Sequence, residues 1–193
     1  MGLLTKPAYY FTKAINYYTF KRNKVSFGRF QINGLIHVVN NGGRLSIGDR
    51  FSANSGKRHN PIGGDTVLNL IVHQPSAVLS IGENVGISNS TIVCWESVEI
   101  GDHVVIGGGS RIWDTNFHSL QSAIRTSGKD TDIRTAPVKI GDYVFIGGNV
   151  TILKGVTIGE YSIISAGSVV NADIPSRVIA GGNPCRVLKE LTL

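Results

Sequence analysis

A chain of 193 residues with 24 glycines and only 6 prolines, 41% hydrophobic, has the content for one domain with a buried core and is not a disordered chain. The formal net charge of +6 has a single source, because residues 1–30 hold Lys6, Lys13, Lys21, Arg22, Lys24 and Arg29 and no acid, while the rest of the chain balances 13 basic against 13 acidic side chains. A neutral body excludes a nucleic-acid partner, which needs a basic surface; two cysteines far apart, Cys94 and Cys185, exclude a disulfide framework and read as free thiols in a reducing compartment.

Residues 1–30 form a basic, aromatic arm that also holds eight of the 15 aromatic residues. Helical spacing predicts a helix over residues 3–22, with Pro7 in its first turn and Tyr10, Ala14, Tyr17 and Tyr18, or Phe11, Ile15 and Phe20, on one face. Two readings of that face stay open. It packs on the body or a neighbouring subunit, or residues 1–24 rest on an anionic membrane leaflet, rings at the interface and lysines toward phosphates. No run is long enough to span a bilayer and no signal-peptide core is visible, so a cytoplasmic protein is expected, peripheral at the inner face of the membrane in the second reading.

The body, residues 31–178, carries a compound period. In Pro137–Ala172 every sixth residue is Ile140, Ile146, Ile152, Ile158, Ile164 and Val170, and two residues before them stand Val144, Val150, Val156, Ser162 and Ser168. A helix repeats near 3.6 and a strand alternates with period two, so a six needs a short strand plus a turn, as in Val144–Ile146 followed by Gly147-Gly148-Asn149. One such unit cannot bury its apolar pair alone, whereas stacked units can. The pattern predicts an all-β fold, a parallel β-helix of hexapeptide repeats.

Earlier coils are less regular. Ile32 and Val38, then Ile47 and Ala53, keep the spacing of six. Residues 54–66, including Lys57, Arg58 and His59, interrupt it as a loop at the edge of a binding site or simply in solvent. The phase returns at Ile81, Ile87 and Val93, slips by one residue across Cys94–Glu99, and resumes at Ile100, Ile106 and Ile112. The next slot is His118, and an unpaired imidazole among isoleucines would cost about 1–3 kcal/mol. The chain therefore leaves the coil near Asp114 for a loop, 114–137, of a length that is usually functional. Residues 179–193 read as a cap with a short helix over the open end.

His118 is the candidate base, since it follows Asp114 and Asn116 in WDTNFHS at the mouth of the loop. A nearby carboxylate would fix its tautomer and raise its basicity, and Asp114 is the candidate, although the sequence leaves open which acid does so. Three hexads close one coil, which stacks Gly148 beneath Ala166 and Phe145 beneath Ile163. Small residues there either make the corner or leave room for an extended ligand against the backbone.

The hexads, DTNFHS, PVKIGDYVFIGG and DIPSRVIAGGNPCRVLKEL together resemble the hexapeptide-repeat acyltransferases, in their sugar and polysaccharide O-acetyltransferase branch related to the galactoside and maltose acetyltransferases. The resemblance covers residues 79–191 well and 1–60 weakly. It implies a left-handed coil, where crossover statistics favour the right-handed one. It further implies a homotrimer and acetyl-CoA as co-substrate between subunits, with no metal. A saccharide acceptor, lipid-linked if the arm meets a membrane, would be acylated on a hydroxyl directly, with His118 as base. The pantetheine would run past Phe145, Gly148, Ala166 and Gly167, with Asn171 nearby and Arg186 and Lys189 toward the 3′-phospho-ADP; Asn89 and Asn116 would meet the acceptor. Relatives often carry Trp where this chain has Phe145 and Thr-Lys where it has Asn171-Ala172, which removes one cation. Rival readings are an N-acetyltransferase on an amino-sugar nucleotide, a carbonic-anhydrase-like zinc enzyme using His73, His103 and His118, and a scaffold without catalysis.

Overall fold

The computed structural model describes residues 6–192, so residues 1–5 of the arm and Leu193 of the cap lie outside the described residues. The chain winds as a left-handed parallel β-helix with three faces. The first face stacks strands 26–27, 44–47, 78–81, 97–100, 138–140 and 157–158; the second stacks 30–33, 51–54, 86–88, 105–106, 145–146, 163–164 and 178–181; the third stacks 37–40, 69–72, 91–94, 111–113, 151–152 and 169–170. The coil thus begins at Ser26, inside the stretch that composition assigns to the arm.

Register explains why the six is strict. Ile106 pairs with Ile146 and Ile146 with Ile164 on the second face, while Ile112 pairs with Ile152 and Ile152 with Val170 on the third. Each inward side chain therefore rests on its equivalent one coil away, and the columns are buried throughout. The serines in the inner column do not break it, because Ser162 Oγ donates to Pro175 O (2.7 Å) and Ser168 Oγ to Ser165 O (2.6 Å).

At the corner between the first and second faces, Arg50, Asn84, His103, Tyr143, Tyr161 and Arg177 all take φ between 55° and 60°, a left-handed conformation uncommon outside glycine. Their side chains form one external ladder: His103 stacks on Tyr143 (4.6 Å), Tyr143 on Tyr161 (4.8 Å), and Arg177 covers Tyr161 (4.7 Å).

Two expectations need correction. Ile92 and Cys94 point inward and Val93 outward, so the slip falls at the corner before strand 91–94 and not after it. The strand is long enough to send two side chains inward, which returns the chain to phase by Val98. The tail is not a cap helix. Arg186–Glu190 is a strand, antiparallel to Val178–Gly181, because that last strand offers an open row of backbone groups that a returning strand satisfies.

The helix of the arm, Lys6–Arg22, packs across strands 30–33 and 37–40. Its inner face is Asn16 and Phe20: Asn16 donates to Gly34 O (2.9 Å) and accepts from Ile36 N (3.2 Å), and Phe20 meets Phe27 and Phe30 at 5.0 and 5.2 Å. Of the two stripes expected to pack, only Phe20 is fully buried; Tyr10 and Phe11 are 65% and 68% exposed.

The columns yield a direct test. Ile146→Ala, at a fully buried position, should lower stability by about 2–5 kcal/mol in chemical denaturation, whereas Phe145→Ala, on the outward side of the same strand, should cost under about 1 kcal/mol.

Candidate functional site

Strand 111–113 delivers the excursion. Trp113 pairs with Val93, so Asp114 lies inward above Cys94. Its carboxylate accepts from the backbone N–H groups of Trp95 (2.8 Å), Glu96 (2.7 Å) and Ser97 (2.8 Å), closing the corner of the coil below. Burial outweighs those three donors and holds the Asp114 carboxyl above its ordinary pKa; burial, with the nearby Asp114 charge second, pushes the Cys94 thiol up to about 12. Asp114 is therefore a post inside the coil and does not serve His118, which corrects the pairing expected from the sequence.

The partner of His118 is Asp130, from the far side of the loop. The base of the excursion is fixed by an antiparallel bridge between Thr115 and Thr135 and by Asn116 N donating to Arg134 O (3.0 Å). Within it, His118 Nδ1 lies 2.8 Å from Asp130 Oδ2, and Asp130 Oδ1 accepts from Ser119 N (2.8 Å). The Ser119 N–H, with the His118 ring and Arg125 behind it, holds Asp130 below the usual carboxylate range. An ionised carboxylate only accepts, so Nδ1 carries the proton and Nε2 presents its lone pair. What Asp130 contributes to loop stability is present in full above the ordinary carboxylate pKa and is lost as pH falls through its own lowered value. The imidazole is 71% exposed and the carboxylate 20%, so the base is open to a ligand while its orienting group is not.

The residues just before His118 line a groove of about 390 Å³, formed by Trp113, Thr115, Asn116, Phe117, Leu153, Lys154 and Asn171. Phe117 stands edge-on to Trp113 (5.8 Å) and Trp95 (6.4 Å), and Trp95 is stacked on His73 (4.1 Å). Aromatic faces flanked by amides and an ammonium suit an uncharged polyol ring. Trp113 and Lys154 went unnoticed in the sequence because they look like ordinary outward positions of the repeat.

The glycine corner is elsewhere, between the second and third faces. Gly148 O accepts from Gly167 N (2.9 Å), and Asn149 N donates to Gly108 O (2.9 Å), so successive corners are stacked; Phe145 pairs with Ile163 and faces outward. Ala166 and Gly167 are exposed, as are Arg186 and Lys189 on the last strand. Asn171 is not with them but in the groove of Trp113 and Phe117. In each coil the third-face strand, such as Thr151–Ile152, separates the two corners, so one chain does not bring His118 and Gly148 together. Asn89 is engaged too: it is buried, accepts from Gly56 N and donates to Asn60 O, so it anchors the 55–68 loop and cannot meet an acceptor as expected. His103 stacks on Tyr143 at the remaining corner, far in topology from His118, which leaves the three-histidine zinc reading without convergence in this chain.

The two aspartates are separable by experiment. Asp114→Ala should cost at least about 2 kcal/mol of stability by stranding three backbone donors, read as a lowered denaturation midpoint, whereas Asp130→Asn should leave that midpoint within about 0.5 kcal/mol of wild type.

Residues 137–172 match the family described as bacterial transferase hexapeptide (six repeats), and residues 78–112 match the hexapeptide repeat of succinyl-transferase. The galactoside O-acetyltransferase of Escherichia coli (strain K12) is 39% identical over 125 residues, which is 61% of this chain and 60% of that protein. The chain thus spans about three fifths of the length of that relative. Among solved structures, the hexapeptide-repeat containing acetyltransferase VCA0836 from Vibrio cholerae is 35% identical with a TM-score of 0.55, covering 63% of this chain and 70% of its own. A second structure of it, complexed with acetyl coenzyme A, aligns with a TM-score of 0.62 at 27% identity over 94% of this chain and 79% of its own. A maltose O-acetyltransferase from Clostridium difficile 630 aligns with a TM-score of 0.60 at 27% identity, covering 98% and 80%. By its repeats, its fold and its 35% identity across 70% of the Vibrio cholerae protein, this chain belongs to the hexapeptide-repeat acetyltransferase family.

Proposed function

We propose that the chain is an acetyl-CoA-dependent O-acetyltransferase acting on a sugar hydroxyl, in a saccharide or a cell-surface polysaccharide intermediate. The observation that carries this is the His118–Asp130 pair, with an exposed imidazole that directly follows Phe117, one wall of a groove shared with Trp113. The relatives support the donor and the acceptor class: one Vibrio cholerae structure holds acetyl coenzyme A, and others are named for galactoside and maltose O-acetylation.

The chemistry needs little more. A hydroxyl is a poor nucleophile at neutral pH and a thioester is already activated, so a positioned base suffices for direct transfer. The acceptor oxygen attacks the thioester carbonyl carbon as His118 Nε2 takes its proton. The tetrahedral intermediate then collapses, the C–S bond breaks, and the proton passes to the departing thiolate, giving ester and free CoA. Asp130 holds the ring and stabilises its cationic form meanwhile. The separation of His118 from the Gly148–Ala166 corner favours a site completed by a second copy, the imidazole from one subunit facing the glycine corner of the next around a closed ring of three. Phe145 and Gly167 would flank the pantetheine, and Arg186 and Lys189 its phosphates.

The arm supports a place for the acceptor. No helix among the described residues is long and apolar enough to cross a membrane. The outward face of Lys6–Arg22 nonetheless carries Tyr10, Phe11, Tyr17 and Tyr18 among Lys13, Lys21 and Arg22, without an acid. Rings and cations together complement the anionic headgroup layer, where a lipid-linked saccharide would lie.

With acetyl-CoA and a panel of glycans and amino sugars as acceptors, free thiol should appear with a hydroxyl acceptor; release with amino sugars alone would make the chain an N-acetyltransferase. His118→Ala should lower kcat by about 10²–10⁴ with CoA affinity retained, and Asp130→Asn should lower kcat without raising KM; full activity in His118→Ala overturns the mechanism. In sedimentation with vesicles, the protein should bind those containing phosphatidylserine and not pure phosphatidylcholine. Tyr10→Ser with Phe11→Ser should abolish that binding and leave transfer to a soluble acceptor unchanged.

A further inference from the structure

The loop 55–68 leaves the coil where an ordinary three-residue corner would suffice, and it does not wander into solvent. It folds along the glycine corner. Asn89 fixes it at Gly56 and Asn60, and the Asn60 side chain caps the single turn Pro61–Gly63 by accepting from Ile62 N (3.0 Å). A Cβ on Gly108 would come within 2.8 Å of Asn60 Oδ1 and 3.0 Å of Gly63 N, so the corner has no side chain there because the loop occupies the space. At Gly148, one coil further, a Cβ would meet Ile62 Cγ2 at 3.2 Å and Gly108 O at 3.2 Å. Past that point the corner opens: nothing lies within 4 Å of a Cβ on Gly167. The result is a corridor along Gly148, Ala166 and Gly167 with one end stopped by Ile62. This isoleucine is 64% exposed, yet it is carried on a loop pinned by the part-buried hydrogen bonds of Asn89.

We infer that Ile62 is the residue that limits acyl-chain length. The inference rests on the proposed acyl-CoA chemistry and fixes which acyl group that site accepts. The height of the thioester follows from connectivity: the corner Gly107–Gly109 leads directly into strand 111–113, the strand that delivers His118. In a ring whose axis runs parallel to the coil, subunits meet at equal heights. The carbonyl within reach of a neighbour's His118 then lies at the coil of Gly108 and Gly109, beside Gly148. The phosphate end lies toward Arg186 and Lys189, at the far end of the corridor. An acyl group at that height points at Ile62. An acetyl methyl fits in front of the branched side chain, and each further methylene runs into it. One methylene in such a pocket typically changes discrimination by about 10–200-fold.

The test needs no known acceptor. Dissociation constants for free CoA, acetyl-CoA and butyryl-CoA are measured by titration calorimetry on the full chain, wild type and variants. Wild type should bind butyryl-CoA at least about tenfold more weakly than acetyl-CoA. Ile62→Ala should bring the two within about twofold, with free CoA unchanged. Ile62→Phe should weaken acetyl-CoA and leave free CoA alone. Equal affinities in wild type, or a ratio that Ile62→Ala does not move, overturns the role of Ile62 while leaving the acyl-CoA reading standing. Failure of wild type to bind any of the three overturns the acyl-CoA reading itself.

Discussion

Coil-on-coil stacking of one inward residue per short strand is the constraint on which everything else depends. Ile106, Ile146 and Ile164 must sit over one another for any of them to be dry, so a change of phase has to be absorbed at a corner or by a longer strand, as at 91–94. Variation is pushed to the corners, where added residues can leave outward without disturbing the ladder. Both long insertions in this chain, 55–68 and 115–137, leave at corners, and both carry the residues on which the functional reading turns. A rigid column thus forces chemistry to the edges while giving those edges a fixed spacing.

Polar groups inside such a column serve to hold corners shut. Asp114 receives three backbone donors, Asn89 ties down a loop, and Ser110 links Gly147 O to Val150 N at 3.0 and 3.2 Å. Asp114 and Asn89 lie in stretches that read as functional, yet each holds backbone in place, as Ser110 does. His118 is the reverse case. It lies outside the column, exposed, and is made useful by a single carboxylate brought back by the loop's return.

The repeat was legible in the chain because periodicity is a property of sequence order, and the six-residue columns fall where Ile140 to Val170 place them. Asp130 was not legible, because its pairing with His118 depends on how an aperiodic loop closes, and loop closure is decided by contacts such as Thr115 with Thr135 that leave no pattern. The same applies to the tail: Cys185–Leu191 has the composition of a helix start, but the open edge of strand 178–181 decides in favour of a strand. Inward Ile92 was misplaced by one residue, since Ile92, Val93 and Cys94 are all apolar and only the pairing of Val93 with Trp113 separates them. The position of Ile62 over Gly148 left no mark in the sequence, because it depends on how the 55–68 loop folds back on the corner.

The way the coil ends has a consequence for assembly. At its last turn each face receives a partner from the tail: Ile174 bridges Ile158 on the first, strand 178–181 and then 186–190 complete the second, and Gly182 and Cys185 bond to Val169 on the third. At the opposite end the helix Lys6–Arg22 lies across the first strands of the second and third faces. A solenoid with bare ends is a template for its own copies, and stacking end to end has no natural limit. Here the last coil is paired by the returning tail and the helix lies across two of the three first strands, so among the described residues little bare ladder faces along the coil axis, and the flanks are the broader surfaces left for another molecule.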